Sequence, residues 1–181
     1  MTRYAVFLRG VNVGGVNLKM AAVAQALEDA GFTAVQTILA SGNVLLDSTA
    51  DAQTVRRRTE ETLRAEFNYD AWVLVYDLDT LAAISRQYPF EREVDDQHSY
   101  VTFVSDVDVL AQLTTGAEPG PGEKIQAGPG VVYWQVPRSA TLTSTMGKTM
   151  GKKRYKSSTT TRNLRTIDKV LRGQRGRDGQ P

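Results

Sequence analysis

The stretch LRGVNVGG, Leu8 to Gly15, follows the apolar run Tyr4 to Leu8 and invites comparison with phosphate-binding glycine loops. Gly10 and Gly15 have the spacing of a P-loop, but Val16 and Asn17 stand where Lys and Ser/Thr must meet the phosphates and Mg²⁺. The stretch is not GxGxxG either, so nucleotide sites of those two kinds are excluded. What survives is a strand-to-helix loop with three glycines, Gly10, Gly14 and Gly15, whose backbone N–H groups and following helix N-terminus favour an anion. Asn12 and Asn17 can add amide donors, and Arg9 or Lys19 can add charge. The competing reading is that the glycines only permit a tight turn.

Other chemistry is sparse. Gly147-Lys148-Thr149 imitates the end of a P-loop, but Leu142 stands five positions earlier where glycine is needed, and the segment follows a predicted helix rather than a strand. His98 is the one histidine and there is no cysteine, so neither a zinc site nor a disulfide can be assembled. No nucleophile elbow occurs. The acidic pairs Asp77/Asp79, Glu91/Glu93, Asp95/Asp96 and Asp106/Asp108 sit where strands end, as caps and turns require. No metal and no cofactor are expected, and Trp72 and Trp134, in apolar runs, read as core.

The elements that must position the glycine loop are legible as periodicities. Arg3 to Arg9 reads as a buried strand, and Met20, Val23 and Leu27 mark a helix ending at Gly31. Ala34 to Ala40 and Val44 to Ser48 form a hairpin around Ser41-Gly42-Asn43. Asp51 caps a second helix with Val55, Leu63 and Phe67 inward and the pairs Arg57/Glu61 and Glu60/Arg64 outward, and Ala71 to Asp77 is a fourth strand. The order β-α-β-β-α-β is the split βαβ, or ferredoxin-like, unit. In it, Arg9 and Gly10 must lie at the same sheet edge as Ser41, Gly42 and Asn43.

The remainder repeats the plan imperfectly: a short helix near Asp79 to Gln87, a strand Ser99 to Ser105, a short helix, a loop rich in proline and glycine, a hairpin around Gly128-Pro129-Gly130 and a helix over about 141–150. The closing strand is expected to be missing or replaced. The fold class is therefore α+β, a ferredoxin-like N-terminal half (1–78), a helix and polar connection (79–98), a similar second half with a basic C-terminal helix (99–172), and a disordered tail (173–181).

At 181 residues and 41% apolar content the chain can bury a real core. Its five-residue apolar start is too short for a signal peptide or membrane span, so a soluble cytoplasmic protein without membrane partners is expected. The net charge of +2 hides an asymmetry. Residues 1–147 carry eleven Lys/Arg against eighteen Asp/Glu, a net −7, whereas residues 148–181 carry eleven against two, a net +9. On a helix spanning Arg162 to Arg172, Leu164, Ile167, Val170 and Leu171 share one side, while Arg162, Arg165, Lys169 and Arg172 share the opposite one. The hydroxyl run Ser157 to Thr161 would supply its cap.

LRGVNVGG, then SGNV, YPF with VTFV, and TTRN before an apolar-periodic helix together resemble the uncharacterised bacterial family called domain of unknown function 1697. The resemblance implies an α+β fold and no established activity. The matching positions are Arg9, Gly10, Asn12, Gly14, Gly15, Ser41, Gly42, Asn43, Thr161, Arg162 and Asn163. Leu164 stands where the family often has tryptophan, which removes a stacking aromatic.

Two functional readings follow. In the first, the chain binds a phosphate-bearing ligand, nucleic acid or nucleotide, through the glycine loop with Asn17 and Lys19, the SGN hairpin, and Thr161, Arg162, Asn163, Arg165 and Lys169. In the second, it is a small-metabolite enzyme with Arg9 and Arg162 clamping an anionic substrate and Asn12, Ser41 or Asn43 orienting it. A structural protein whose glycines serve only the fold is the third class.

Overall fold

The computed structural model describes residues 1–12 and 16–175. The described residues divide into two compact units, the first comprising Met1–Ala82 with residues 169–175, the second Ala83–Asp168.

In the first unit the predicted element order holds. Strand β1 (Thr2–Leu8) pairs antiparallel with β3 (Asn43–Ser48) on one side and β4 (Val73–Asp77) on the other, and β2 (Thr33–Ile38) flanks β3. The sheet order β2-β3-β1-β4 is that of a split βαβ unit. Helices α1 (Met20–Asp29) and α2 (Ala52–Glu66) bury Val23, Leu27, Val55 and Leu63 against Tyr4, Val6 and Leu8, alternate residues of β1. Phe7 and Ala5, on the opposite face, are buried too, which is why the strand reads as an unbroken apolar run. Asp51 caps α2 as expected, accepting from the Thr54 amide at 2.8 Å.

Two expectations about this unit are corrected. Glu60 is not on the outer face of α2: it is 9% exposed and accepts from the Val73 backbone N–H at 3.1 Å, tying the helix to the start of β4. Trp72 is half-buried rather than core; it precedes β4, with the Arg64 guanidinium 4.6 Å from its ring centre.

The second unit has the same strand order. Strand β5 (Gln97–Val104) lies between β7 (Val131–Pro137) and β8 (Thr159–Asn163), with β6 (Lys124–Gly128) outside β7, all antiparallel. The closing strand is therefore present, as β8, against the sequence expectation. Its TTTRN reads as a polar cap, yet threonine is β-branched and suits a pleated surface. Thr161 faces Thr102 across the strands, hydroxyl to hydroxyl at 2.8 Å. Helix α3 (Leu78–Arg86) precedes this sheet, and α4 (Val107–Thr114) follows β5 with Asp106 as its cap. Leu113, Val132, Trp134, Val136 and Met146 form the core, so Trp134 is core as expected.

The single helix expected over about 141–150 is instead a 3-10 turn at Arg138–Ala140 and a short helix α5 (Thr145–Met150), because Ser144 caps the latter through the Gly147 amide. The C-terminal helix α6 (Leu164–Arg175) starts two residues later than predicted. Its cap is Asn163, whose Oδ1 accepts from the Arg165 amide at 2.9 Å, and not the hydroxyl run. It also continues through Gly173 to Arg175, into the stretch expected to be disordered; residues 176–181 lie outside the described residues.

Candidate functional site

The glycine loop and the SGN hairpin meet at one sheet edge, as the strand order requires. The Leu8 amide donates to the Gly42 carbonyl at 2.8 Å. Asn12 is the clasp: its Nδ2 donates to Leu18 O at 3.0 Å and Ala40 O at 2.6 Å, while its Oδ1 accepts from the Leu18 amide at 2.9 Å. Gly42 has φ of +84°, and a Cβ there would sit 3.0 Å from Leu8 Cβ, so glycine is needed for both reasons. Asn43 is fully buried and donates to Ile38 O at 2.9 Å and Ser41 Oγ at 3.1 Å. Asn12, Ser41, Gly42 and Asn43 thus build the edge by bonding to one another's neighbourhoods.

Gly10, Asn17 and Lys19 are exposed at this edge and Arg9 is half-buried; Gly14 and Gly15 lie outside the described residues. Burial lowers the Arg9 pKa from its ordinary value, opposed by the nearby Tyr69 phenol, whose hydroxyl donates to the Arg9 carbonyl. Lys19 occupies the N-cap of α1 without a side-chain cap, and the first turn of that helix carries no acidic residue.

The C-terminal residues divide differently. Arg162 is not on the helix: it lies in β8, is 8% exposed, and its Nη1 donates to Thr160 Oγ1 at 2.8 Å and Thr161 O at 2.9 Å. The proposed cationic face therefore loses its first member, and an anion clamp built on Arg162 loses its solvent-facing guanidinium. Arg165 is exposed and pairs with Glu93 at 2.7 Å. Lys169 and Arg172 are exposed on α6, in the first unit.

A second cationic group is better defined. Lys148, Lys152, Lys153, Arg154 and Lys156 are all exposed along one wound segment of the second unit. Successive backbone bonds (Lys152 N to Thr149 O, Tyr155 N to Lys152 O, Lys156 N to Lys153 O) keep that segment coiled, and buried Tyr155 anchors it with the Arg154 guanidinium over its ring at 4.7 Å. Among the described residues, Lys148, Lys152, Lys153 and Arg154 have no carboxylate partner, whereas Arg3, Arg56, Arg57, Arg64, Arg92 and Arg165 each have one. Lys148 draws attention in the sequence only as a P-loop imitation; the charge run from 148 to 156 is the signal that places it with this group.

The P-loop imitation itself is structural. Gly147 lies inside α5, where a Cβ would be 1.9 Å from the Thr141 carbonyl oxygen. Glu123, which the sequence reading passed over, is buried, and its carboxylate accepts from the amides of Gly120, Thr145 and Met146 at 2.9–3.0 Å, filling the start of that helix. Among the described residues no group of three or more His, Asp or Glu could hold a metal, and no helix is long and apolar enough to cross a membrane.

A family model described as "Protein of unknown function (DUF1697)" matches residues 1–133. That range includes the glycine loop, SGNV, YPF and VTFV and ends before Thr160–Asn163. No curated protein matches the sequence. Among solved structures, a conserved bacterial protein, SP0830 from Streptococcus pneumoniae, is similar with a TM-score of 0.78 and 22% identity, over 94% of this chain and 97% of that one. At that identity the likeness shows the fold.

Proposed function

The chain belongs to the DUF1697 family of proteins of unknown function, and since membership brings no activity with it, we propose from the geometry that it binds phosphate-bearing ligands, nucleic acid foremost, through the ribbon Lys148–Lys156. One observation carries this reading: among the described residues the ribbon's cations Lys148, Lys152, Lys153 and Arg154 have no carboxylate partner, while Arg56, Arg57 and Arg64 of α2 are each paired with a glutamate of their own helix. An unpaired cation on an ordered scaffold meets a phosphate without first giving up an ion pair. The exposed Lys169 and Arg172 of α6, and Asn17 with Lys19 at the glycine edge, are further contacts of the same chemistry.

Binding of this kind is salt-dependent, with a log K against log[salt] slope of about −0.9 per neutralised phosphate on duplex DNA and about −0.7 on single strands. The test is fluorescence anisotropy with short single- and double-stranded DNA and RNA at two salt concentrations. Changing Lys148, Lys152, Lys153 and Arg154 together to Gln should weaken binding and flatten the slope by roughly 2–4, with sequence preference unchanged. Absence of binding tighter than about 100 μM at low salt defeats the reading, since non-specific affinities normally reach ~10⁻⁴ to 10⁻⁶ M at physiological salt.

A further inference from the structure

Apart from the ribbon, the second unit contains a recess to which three separate elements contribute. His98 comes from β5, Arg138 from the turn after β7, and Asn163 and Arg165 from the junction of β8 with α6; with Glu93 they line a cavity of about 170 Å³. We propose that this recess is a binding site for the dianionic phosphate group of a small molecule, held by Arg138, Arg165 and His98.

The charges favour such an occupant. The Arg138 side chain is exposed and has no hydrogen-bond acceptor among the described residues. Among the described residues Arg165 pairs only with Glu93, and with the two side chains 60% and 65% exposed that pair is weakly held and can open. The His98 ring is fixed from one side: its Nδ1 lies 3.0 Å from Thr141 Oγ1 and 3.1 Å from the Tyr100 hydroxyl. Its Nε2 has no partner among the described residues, so a ligand oxygen can use it. Asn163 caps α6, whose first turn carries no acidic residue to offset its positive end. The size agrees: at about 30 Å³ per water the cavity accommodates a phosphate, but it is smaller than the ~300–1,000 Å³ of sites for larger ligands.

The titration of His98 reports on occupancy. Burial first, then Arg138 and Arg165, lowers its pKa from the ordinary 6.5, so the ring is neutral at neutral pH. Among the described residues Glu93 is the one carboxylate lining the recess, and burial raises the Tyr100 phenol above its ordinary range, leaving it uncharged. A bound dianion offsets the two arginines and favours the protonated ring.

Because the chain has a single histidine, its C2 proton gives an NMR signal that needs no assignment. The full chain is titrated with inorganic phosphate and, separately, with glycerol phosphate, ionic strength being held constant with chloride. The expected result is a saturable shift of the His98 signal with its titration midpoint moved upward. If glycerol phosphate saturates at lower concentration than inorganic phosphate, the natural occupant is an ester; the reverse order points to free phosphate. Arg138→Gln and Arg165→Gln should each weaken binding about tenfold, the effect of one charge-assisted hydrogen bond, without loss of spectral dispersion. The fourfold ribbon variant should leave this titration unchanged, so failure of the nucleic-acid reading and failure of the recess are separately visible. The proposal is overturned if no saturable shift occurs at tens of millimolar phosphate, or if the double variant Arg138→Gln/Arg165→Gln gives the wild-type curve.

Discussion

Several polar and glycine residues that resemble ligand-binding positions are held in place by the backbone around them. Gly147 is the sharpest case, because the atom a Cβ would strike, 1.9 Å away, is the main-chain oxygen of Thr141 and cannot swing aside. Gly147→Ala should therefore cost at least the ~1–3 kcal/mol typical of overpacking, read as a lower urea midpoint with an unchanged slope. Gly10→Ala is the contrast: apart from its chain neighbours, no atom of the described residues lies within 4 Å of its added Cβ, so the strain of its φ of +71°, about 1–2 kcal/mol, is what remains. Equal losses at the two positions would mean that the close approach at Thr141 is not what requires glycine. The same distinction applies at the loop edge, where Asn12 and Asn43 make bonds that any ligand would have to compete with.

The starts of α2, α3 and α4 are each set by a single aspartate, and this makes them sensitive to pH. The Asp51 carboxyl is held below its ordinary 3.8 chiefly by the Thr54 backbone N–H, and Asp77 below the same value by that of Thr80 at the start of α3. A depressed folded pKa means that the contribution is complete above the ordinary value and is lost as the pH falls through the folded one. Thermal unfolding of wild type should thus weaken more steeply below about pH 3.8 than that of Asp51→Asn/Asp77→Asn, whose amides do not titrate. Parallel pH profiles would rule out these caps as acid-labile elements. Asp51 was legible as a cap because an apolar helical period follows it. Thr159–Asn163 was not legible as a strand, since its faces are set by pairing with β5 across a gap of some sixty residues and not by any alternation of apolar side chains. Arg162 was misplaced for the same reason: the 3.6-residue period counted backwards from Leu164 continues smoothly through it, and only the strand register buries it. The recess around His98 is assembled from segments near 98, 138 and 165, a spacing with no local signature.

At the scale of the molecule, the two units share a strand order but not a continuous chain. The first is interrupted: its sheet is complete at Asp77, yet residues 169–175 return to it only once the second unit has been traversed. Gly173 approaches Ile38 and Leu45 so closely that a Cβ there would be 2.9 Å from Ile38 Cδ1, and Val170 is 1% exposed. A fragment ending at Ala82 should retain strand circular dichroism while binding a hydrophobic dye and self-associating, and dye binding should fall in the full chain; a fragment as dye-silent as the full chain would show that α6 covers nothing the sheet needs covered. During synthesis, at ~5–20 residues per second, the first sheet can pair about 5–20 s before its last helix is made. For that interval the nascent chain presents a formed sheet with part of its apolar surface still waiting for a segment that does not yet exist, so its success in the cell depends on elongation rate and on whatever shields that surface from neighbouring chains.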